Sequence, residues 1–220
     1  MDSRRWDERY AGTDLLWSAE PNRFLVGEVA GLAPGRALDV ACGEGRNAVW
    51  LARQGWDVVA VDFSPVAVGK ARRLAAHHDV EVSWVVGDVA TGDLPPGPFD
   101  LVIVLYLHLP EPAMTGVLAR AAARVDEGGT FVVVAHDETN IAAGHGGPQD
   151  PAVLYGPDDV VAAIGEGFTI QRAERVRRPV ETGGGTVEAV DCLVRARRVA
   201  PTATTTVDSA ASALRHDPLR

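Results

Sequence analysis

Short apolar runs alternate with stretches of helical periodicity along most of the chain. That order is the signature of an α/β fold built on a largely parallel sheet. Arg36 to Ala41 predicts a first strand, Asn47 to Gln54 a helix stopped by Gly55, and Asp57 to Val61 a second strand. Ser64 has the chemistry of an N-cap and Pro65 that of a first helical residue, for a helix running to about His77. Val80 to Val86 predicts a third strand. Thr91 to Pro98 is a Gly/Pro-rich loop, and Phe99 to Leu105 is nearly all apolar, as a strand buried on both faces requires. Glu111 to Val125 predicts a helix, and Gly128-Gly129 leads into a fifth strand, Thr130 to Ala135. His136 to Gly156 is polar and contains Gly and Pro; a loop of that length in a compact domain is usually functional or disordered. Pro157 to Ile164 predicts a short helix, and Phe168 to Arg178 with Thr186 to Ala196 a closing antiparallel hairpin. Residues 1–30 add an N-terminal helical segment to a domain over residues 31–198. Residues 199–220, rich in Thr and Ala and poor in large apolar side chains, predict a flexible tail.

Composition narrows the class. A chain of 220 residues with 46% hydrophobic residues has enough apolar surface for one sizeable core. Mean hydropathy is +0.01, and no apolar run approaches the roughly 20 residues that span a bilayer. Met1 to Tyr10 is charged and lacks the apolar segment of a secretory signal, so a cytoplasmic protein without a membrane partner is expected. A net charge of -9 argues against nucleic acid as the main partner. Arg172, Arg175, Arg177 and Arg178 then read as a solvated strand face. The two cysteines, Cys42 and Cys192, fit a reducing compartment and have no metal-ligand spacing, so no metal site is expected.

The most informative stretch is Leu38-Asp39-Val40-Ala41-Cys42-Gly43-Glu44-Gly45-Arg46-Asn47, followed by Asp62. It reads as a strand, a tight glycine turn, a helix start and a second strand ending in an acid. Such an arrangement sets a carboxylate for a ribose diol beside a backbone stripped of side chains, and so points to a nucleoside-containing cofactor. Gly43, Gly45 and Ala48 also satisfy the dinucleotide pattern G-x-G-x-x-G/A, so an NAD-dependent oxidoreductase is an alternative. Asp39 interrupts an apolar strand and needs partners, which backbone amides or a cofactor amine would supply. Asp88 follows Gly87 at the end of the third strand. In a parallel sheet these strand ends share one edge, where Asp62 would accept from the ribose hydroxyls and Asp88, with the Val89 backbone, from an adenine amino group. Cys42 inside the turn reads as a small filler, with no base beside it.

The segments Leu-Asp-Val-Ala-Cys-Gly-Glu-Gly-Arg-Asn, Val-Asp-Phe-Ser-Pro and Gly-Asp-Val resemble the successive motifs of class I S-adenosylmethionine (SAM)-dependent methyltransferases, over about residues 36–135. The resemblance implies SAM as cofactor. It also implies a Rossmann-like, seven-stranded, mostly parallel sheet with a C-terminal antiparallel hairpin and helices on both faces. Trp6-Asp7-Glu8-Arg9-Tyr10, with Trp17 and Pro21-Asn22, resembles the N-terminal segment of short bacterial methyltransferases of the tellurite-resistance and thiopurine type. There that segment lids the cofactor, so Tyr10 and Trp17 would close over its methionine end. Cys42, Gly43, Gly45, Arg46, Asn47, Phe63 and Leu105 complete the expected cofactor-binding set with Asp39, Asp62, Asp88 and Val89.

The methyl acceptor would lie beyond the fourth and fifth strands. A general base is needed if it is an alcohol, and alignment alone serves a better nucleophile. His136 is the first candidate base, with Asp137 or another loop acid to orient its ring. His108 and Tyr106 follow as alternatives. Asn140, His145, Gln149 and Asp150 on the long loop would give a polar lining suited to a small hydroxyl-bearing acceptor. A weaker overall resemblance to actinobacterial sugar O-methyltransferases points the same way. Rival readings are transfer to a thiol or chalcogen oxyanion without a base, and a non-catalytic SAM-binding protein. Monomer and homodimer are both compatible with the sequence.

Overall fold

The computed structural model describes residues 3–12, 15 and 18–199. Trp17, and residues 200–220 of the tail expected over 199–220, lie outside the described residues. The chain runs α1 (Ser3–Ala11), α2 (Arg23–Val29), β1 (Arg36–Val40), α3 (Arg46–Arg53), β2 (Asp57–Asp62), α4 (Pro65–His77) and β3 (Ser83–Val86). It continues through β4 (Phe99–Leu105), α5 (Ala113–Ala122), β5 (Val125–His136), α6 (Asn140–Ala143), a short 3-10 turn (Pro151–Val153), α7 (Pro157–Ile164), β6 (Phe168–Thr182) and β7 (Gly185–Arg198). Ser64 caps α4 as its chemistry requires, accepting from the Ala67 N–H at 3.0 Å, with Pro65 in the first turn.

The strands form one seven-stranded sheet in the order β3-β2-β1-β4-β5-β7-β6. β1 to β5 are parallel, β7 is antiparallel to β5, and β6 pairs antiparallel with β7. Alternation along each strand sorts side chains into two cores. Leu38, Val40, Val102, Val104, Phe131 and Val133 pack with α5 and α7 on one face. Ala37, Leu101, Ile103, Val132 and Val134 pack with α2 and α3 on the other. Being buried on both sides, β4 has no polar position between Leu101 and Leu105.

Three segments differ from their sequence-based expectation. The helix before the fifth strand ends at Ala122, and Val125 already pairs with Phe99 in the sheet. Pairing then skips to Thr130 opposite Leu101, and residues 126–129 bulge out, with Gly128 at φ +74°. Regular pairing therefore starts at the predicted Thr130. The third strand begins at Ser83 rather than Val80, because Val80 N–H closes the end of α4 on the Ala75 carbonyl. The long loop after β5 holds α6 and the 3-10 turn instead of running without structure.

The chain steps outward from β1 through β2 to β3, then returns to place β4 on the other side of β1. Ligands of open α/β sheets bind at the carboxyl ends of the strands flanking such a switch point. Ala41 and Tyr106, the residues that follow β1 and β4, both hold left-handed backbone, at φ +59° and +56°. Non-glycine residues adopt that region seldom, and it clusters at functional sites.

Candidate active site

The glycine turn is built by one carboxylate and one tight approach. Asp62, at the end of β2, accepts the Gly43 N–H at 2.8 Å and the Ser64 N–H at 2.9 Å. It thereby ties the turn after β1 to the turn after β2. Gly45 stands at φ +77°, and a Cβ there would lie 2.5 Å from the Trp84 ring and 2.6 Å from Ala71 Cβ. Only glycine lets α3 start this close to α4. Burial pushes the Asp62 carboxyl above its ordinary value, and the backbone donors of Ser64 and Gly43 oppose the shift.

Asp39 is 1% exposed, and its Oδ2 has no hydrogen-bond partner. Burial, with the Asp62 charge adding to it, raises this carboxyl to about 7, against the Ala48 N–H and Arg46. A buried carboxyl with an orphaned oxygen is costly unless something arrives to satisfy it. Arg46, at the start of α3, shares the crevice: burial lowers its pKa, while Tyr106, Asp39 and Glu44 pull it back up.

The N-terminal helix closes this side. Tyr10 is buried, and a Cβ on Gly43 would sit 3.1 Å from its hydroxyl. Lys70 on α4 donates to the Tyr10 carbonyl at 2.6 Å and to Glu44 Oε1 at 2.9 Å, with both charged side chains nearly inaccessible. Asp7 accepts a hydrogen bond from the Ser64 hydroxyl. Asn47 Oδ1 accepts from Asn22 N–H at 2.8 Å, while Asn22 caps α2 through Phe24 and Leu25. Among the expected cofactor residues, Asn47 thus serves the framework. Cys42 is buried and its thiol pKa is pushed well up by burial. Phe63 directly follows β2, and Leu105 ends β4. Asp88 is exposed and engages its own turn, accepting from Ala90 N–H at 2.9 Å and the Thr91 hydroxyl at 3.1 Å. The Val89 carbonyl accepts from Arg120 at 2.6 Å.

A second cluster lies past β4, β5 and β7. The His136 ring lies 4.9 Å from the Tyr106 ring and stacks on His108 at 5.5 Å, with 18° between planes. His108 Nδ1 lies 3.2 Å from the Val153 carbonyl; a carbonyl only accepts, so this nitrogen carries the proton. Burial and the neighbouring His136 lower His108 to about 4, so it is neutral near pH 7. The Tyr155 hydroxyl, beside it, donates to the Leu107 carbonyl at 2.9 Å. Gly147, at φ +74°, lies flat on His136: a Cβ there would fall 2.8 Å from the ring.

The acid beside His136 is not the sequence neighbour. Asp137 turns away, accepting from Arg175 Nε at 2.8 Å and from the Thr139 backbone and hydroxyl at 2.9 and 2.6 Å. Successive strand residues face opposite sides of a sheet, which separates Asp137 from its predecessor. The carboxylate facing His136 is Asp191, its register partner on β7, with Oδ1 3.1 Å from Nδ1. The approach is close but is not aligned as a hydrogen bond. Asp191 also accepts from the Tyr106 hydroxyl at 2.8 Å and Arg178 Nε at 2.7 Å. Burial would raise its pKa, but His136, Arg178 and Tyr106 together hold it below the ordinary value.

The loop residues expected as polar lining serve the framework or the surface. Asn140 accepts from Val190 N–H at 2.7 Å and donates to the Gly146 carbonyl at 2.8 Å, Asp150 caps the 3-10 turn, and His145 and Gln149 are exposed. The arginines of β6 are paired with acids: Arg172 with Glu28 and Glu174, Arg175 with Asp137 and Glu138, Arg177 with Glu188. Asp191 is the residue that sequence reasoning missed. It interrupts the apolar run Ala189-Val190-Asp191-Cys192-Leu193-Val194 just as Asp39 interrupts β1, so the same signal was present.

Residues 37–129 match a family model described as a methyltransferase domain. The ubiquinone biosynthesis O-methyltransferase of Alkalilimnicola ehrlichii is 36% identical over 138 residues, covering 60% of this chain and 53% of that protein. The chain spans about half the length, or less, of the curated relatives it matches. A structure described as the conversion of a disulfide bond into a thioacetal group during echinomycin biosynthesis superposes with a TM-score of 0.72 at 24% identity, covering 90% of this chain and 93% of that one. The N-methyltransferase NodS from Bradyrhizobium japonicum WM9, in complex with S-adenosyl-L-homocysteine, superposes with a TM-score of 0.67 at 19% identity, covering 90% and 99%. The fold is that of a Rossmann-like methyltransferase. The domain match over residues 37–129 and the motif order support a class I SAM-dependent methyltransferase over the dinucleotide alternative. No helix among the described residues is long and apolar enough to cross a membrane.

Proposed function

We propose that the protein methylates a small polar acceptor at oxygen, using SAM, with His136 as general base. The observation that carries this reading is the pairing of two sites on one sheet edge. An orphaned buried carboxyl stands at the glycine turn, and an imidazole held over a buried carboxylate stands past β5.

The residues of the first site fit SAM. Asp39 Oδ2 would meet the ammonium group and Arg46 the carboxylate of the methionine end. Each Asp62 oxygen has a lone pair left after its backbone bond and would accept from the ribose hydroxyls. Asp88 likewise keeps acceptor capacity for an adenine amino group. Tyr10 covers the glycine turn as a lid would. Bound SAM supplies an electrophilic methyl group on a sulfonium, with its leaving group built in.

The second site suits a neutral hydroxyl. Arg178 and Asp191 cancel one another, and His108 and Tyr106 are uncharged near neutral pH, so no net charge waits there for an ionic acceptor. His136 would take the hydroxyl proton as the oxygen attacks; a positioned histidine contributes about 10²–10⁴-fold to such a step. The O-methyltransferase named among the relatives supports oxygen as the acceptor atom. The test is S-adenosylhomocysteine release across hydroxyl and thiol acceptors, with wild type and His136→Ala. We expect hydroxyl turnover that falls at least about 100-fold in the variant, with SAM binding retained. Thiol turnover indifferent to the variant would establish base-free transfer instead.

A further inference from the structure

Four side chains from four segments meet at Asp191: Tyr106 after β4, His136 at the end of β5, Arg178 on β6 and Asp191 itself on β7. Asp191 is 0% exposed. Its Oδ2 serves the tyrosine and the arginine, and its Oδ1 faces His136 Nδ1; neither of those last two atoms has another partner or access to water. We infer that Asp191 is a positioning residue that dictates which nitrogen of His136 bears the proton, and so turns Nε2 toward the acceptor as the base. This rests on reading His136 as that base.

A carboxylate has only acceptors to offer. Were Nδ1 bare, an electron-rich nitrogen would stand 3.1 Å from a carboxylate oxygen in a dry pocket, whereas an N–H there is attracted to that charge. The neutral ring is therefore the Nδ1–H form, with its lone pair on Nε2. The other groups around the ring do not compete for Nδ1. Tyr106 directs its hydroxyl to Asp191, His108 directs its own Nδ1 to Val153, and Asp137 is held by Arg175 and Thr139. From the loop, Gly147 presents backbone to the ring. Arg178 and Tyr106 keep Asp191 ionised, so the carboxylate orients the ring without taking its proton. In the transfer, the acceptor O–H proton goes to Nε2, the oxygen lone pair forms the new O–C bond, and the electrons of the broken C–S bond leave with sulfur. The imidazolium so formed sits beside an anion, and its proton then passes to water.

Full-length protein labelled with ¹⁵N in histidine, with no acceptor present, tests the pairing through its imidazole nitrogen shifts and couplings. We expect neutral His136 as the Nδ1–H form. In Asp191→Asn the new amide donates to Nδ1 and moves the proton to Nε2. Turnover of a hydroxyl acceptor then falls at least about 100-fold, with SAM affinity by calorimetry unchanged. An Nε2–H signature in wild type overturns the inference, even if the variant does not fold; so does an Nδ1–H signature that survives in Asp191→Asn. Full turnover in His136→Ala beside a wild-type Nδ1–H signature overturns the catalytic role and leaves the pairing standing.

Discussion

Replacing Asp39 by Asn should strengthen the ligand-free protein while weakening its hold on SAM. A carboxyl at about 7 in the fold, against its ordinary value of 3.8, resists ionisation because it is buried beside Asp62. The folded state binds this proton more tightly than the unfolded chain, so stability is full below the unfolded value, declines as pH rises, and levels off above about 7. At about 1.4 kcal/mol per pH unit, the loss is about 1 kcal/mol near pH 4.5 and about 4 kcal/mol near pH 8. Asparagine has no such charge, so its stability relative to wild type should improve by about 3 kcal/mol between those conditions. Urea unfolding of both proteins at the two pH values measures this. Calorimetry supplies the other half: wild-type affinity for SAM should rise up to about tenfold per pH unit below about 7, as Asp39 gives up its proton to face the ammonium group, and the variant should be weaker and flat. A variant whose stability relative to wild type is the same at both pH values would refute the placement of an uncompensated carboxyl at the glycine turn.

Two further substitutions probe the same turn. Asp62→Ala removes the acceptor of Gly43 N–H and of the expected ribose hydroxyls; SAM affinity should fall roughly 10- to 150-fold by calorimetry, with cooperative unfolding retained. Gly45→Ala forces a side chain against Trp84 and Ala71 at left-handed backbone, so its urea midpoint should drop by the equivalent of about 1–3 kcal/mol, and a wild-type midpoint would contradict the close approach of α3 and α4.

The parallel part of the fold was legible because its signals are local. Strand, glycine turn, helix and acid follow one another within the stretch from Leu38 to Asp62, and Ser64-Pro65 states the start of α4 outright. The closing hairpin was legible in kind, though β6 and β7 run on to a turn at residues 183–184. The acceptor side was harder because its contacts join residues far apart in the chain. His136 and Tyr106 could be placed at strand ends, but the partner they share comes from β7, and nothing adjacent to His136 reveals it. Asp137 was the nearest acid and the wrong one, since strand alternation turns it to the other side. Arg178 read as one of a row of solvated arginines until the register of β6 on β7 set it beside Asp191. The Lys70–Glu44 pair likewise joins α4 to the glycine turn, a contact that sequence spacing does not encode.

The proposed reaction is methyl transfer from SAM to a hydroxyl, with His136 accepting the proton. The most direct measurement uses SAM carrying a labelled methyl group, a panel of neutral hydroxyl and thiol acceptors, and mass analysis of the product with wild type and His136→Ala. We expect a labelled methyl ether formed in step with S-adenosylhomocysteine, and a rate at least about 100-fold lower in the variant at unchanged SAM affinity. Label appearing only on sulfur, at the same rate in both proteins, would contradict it.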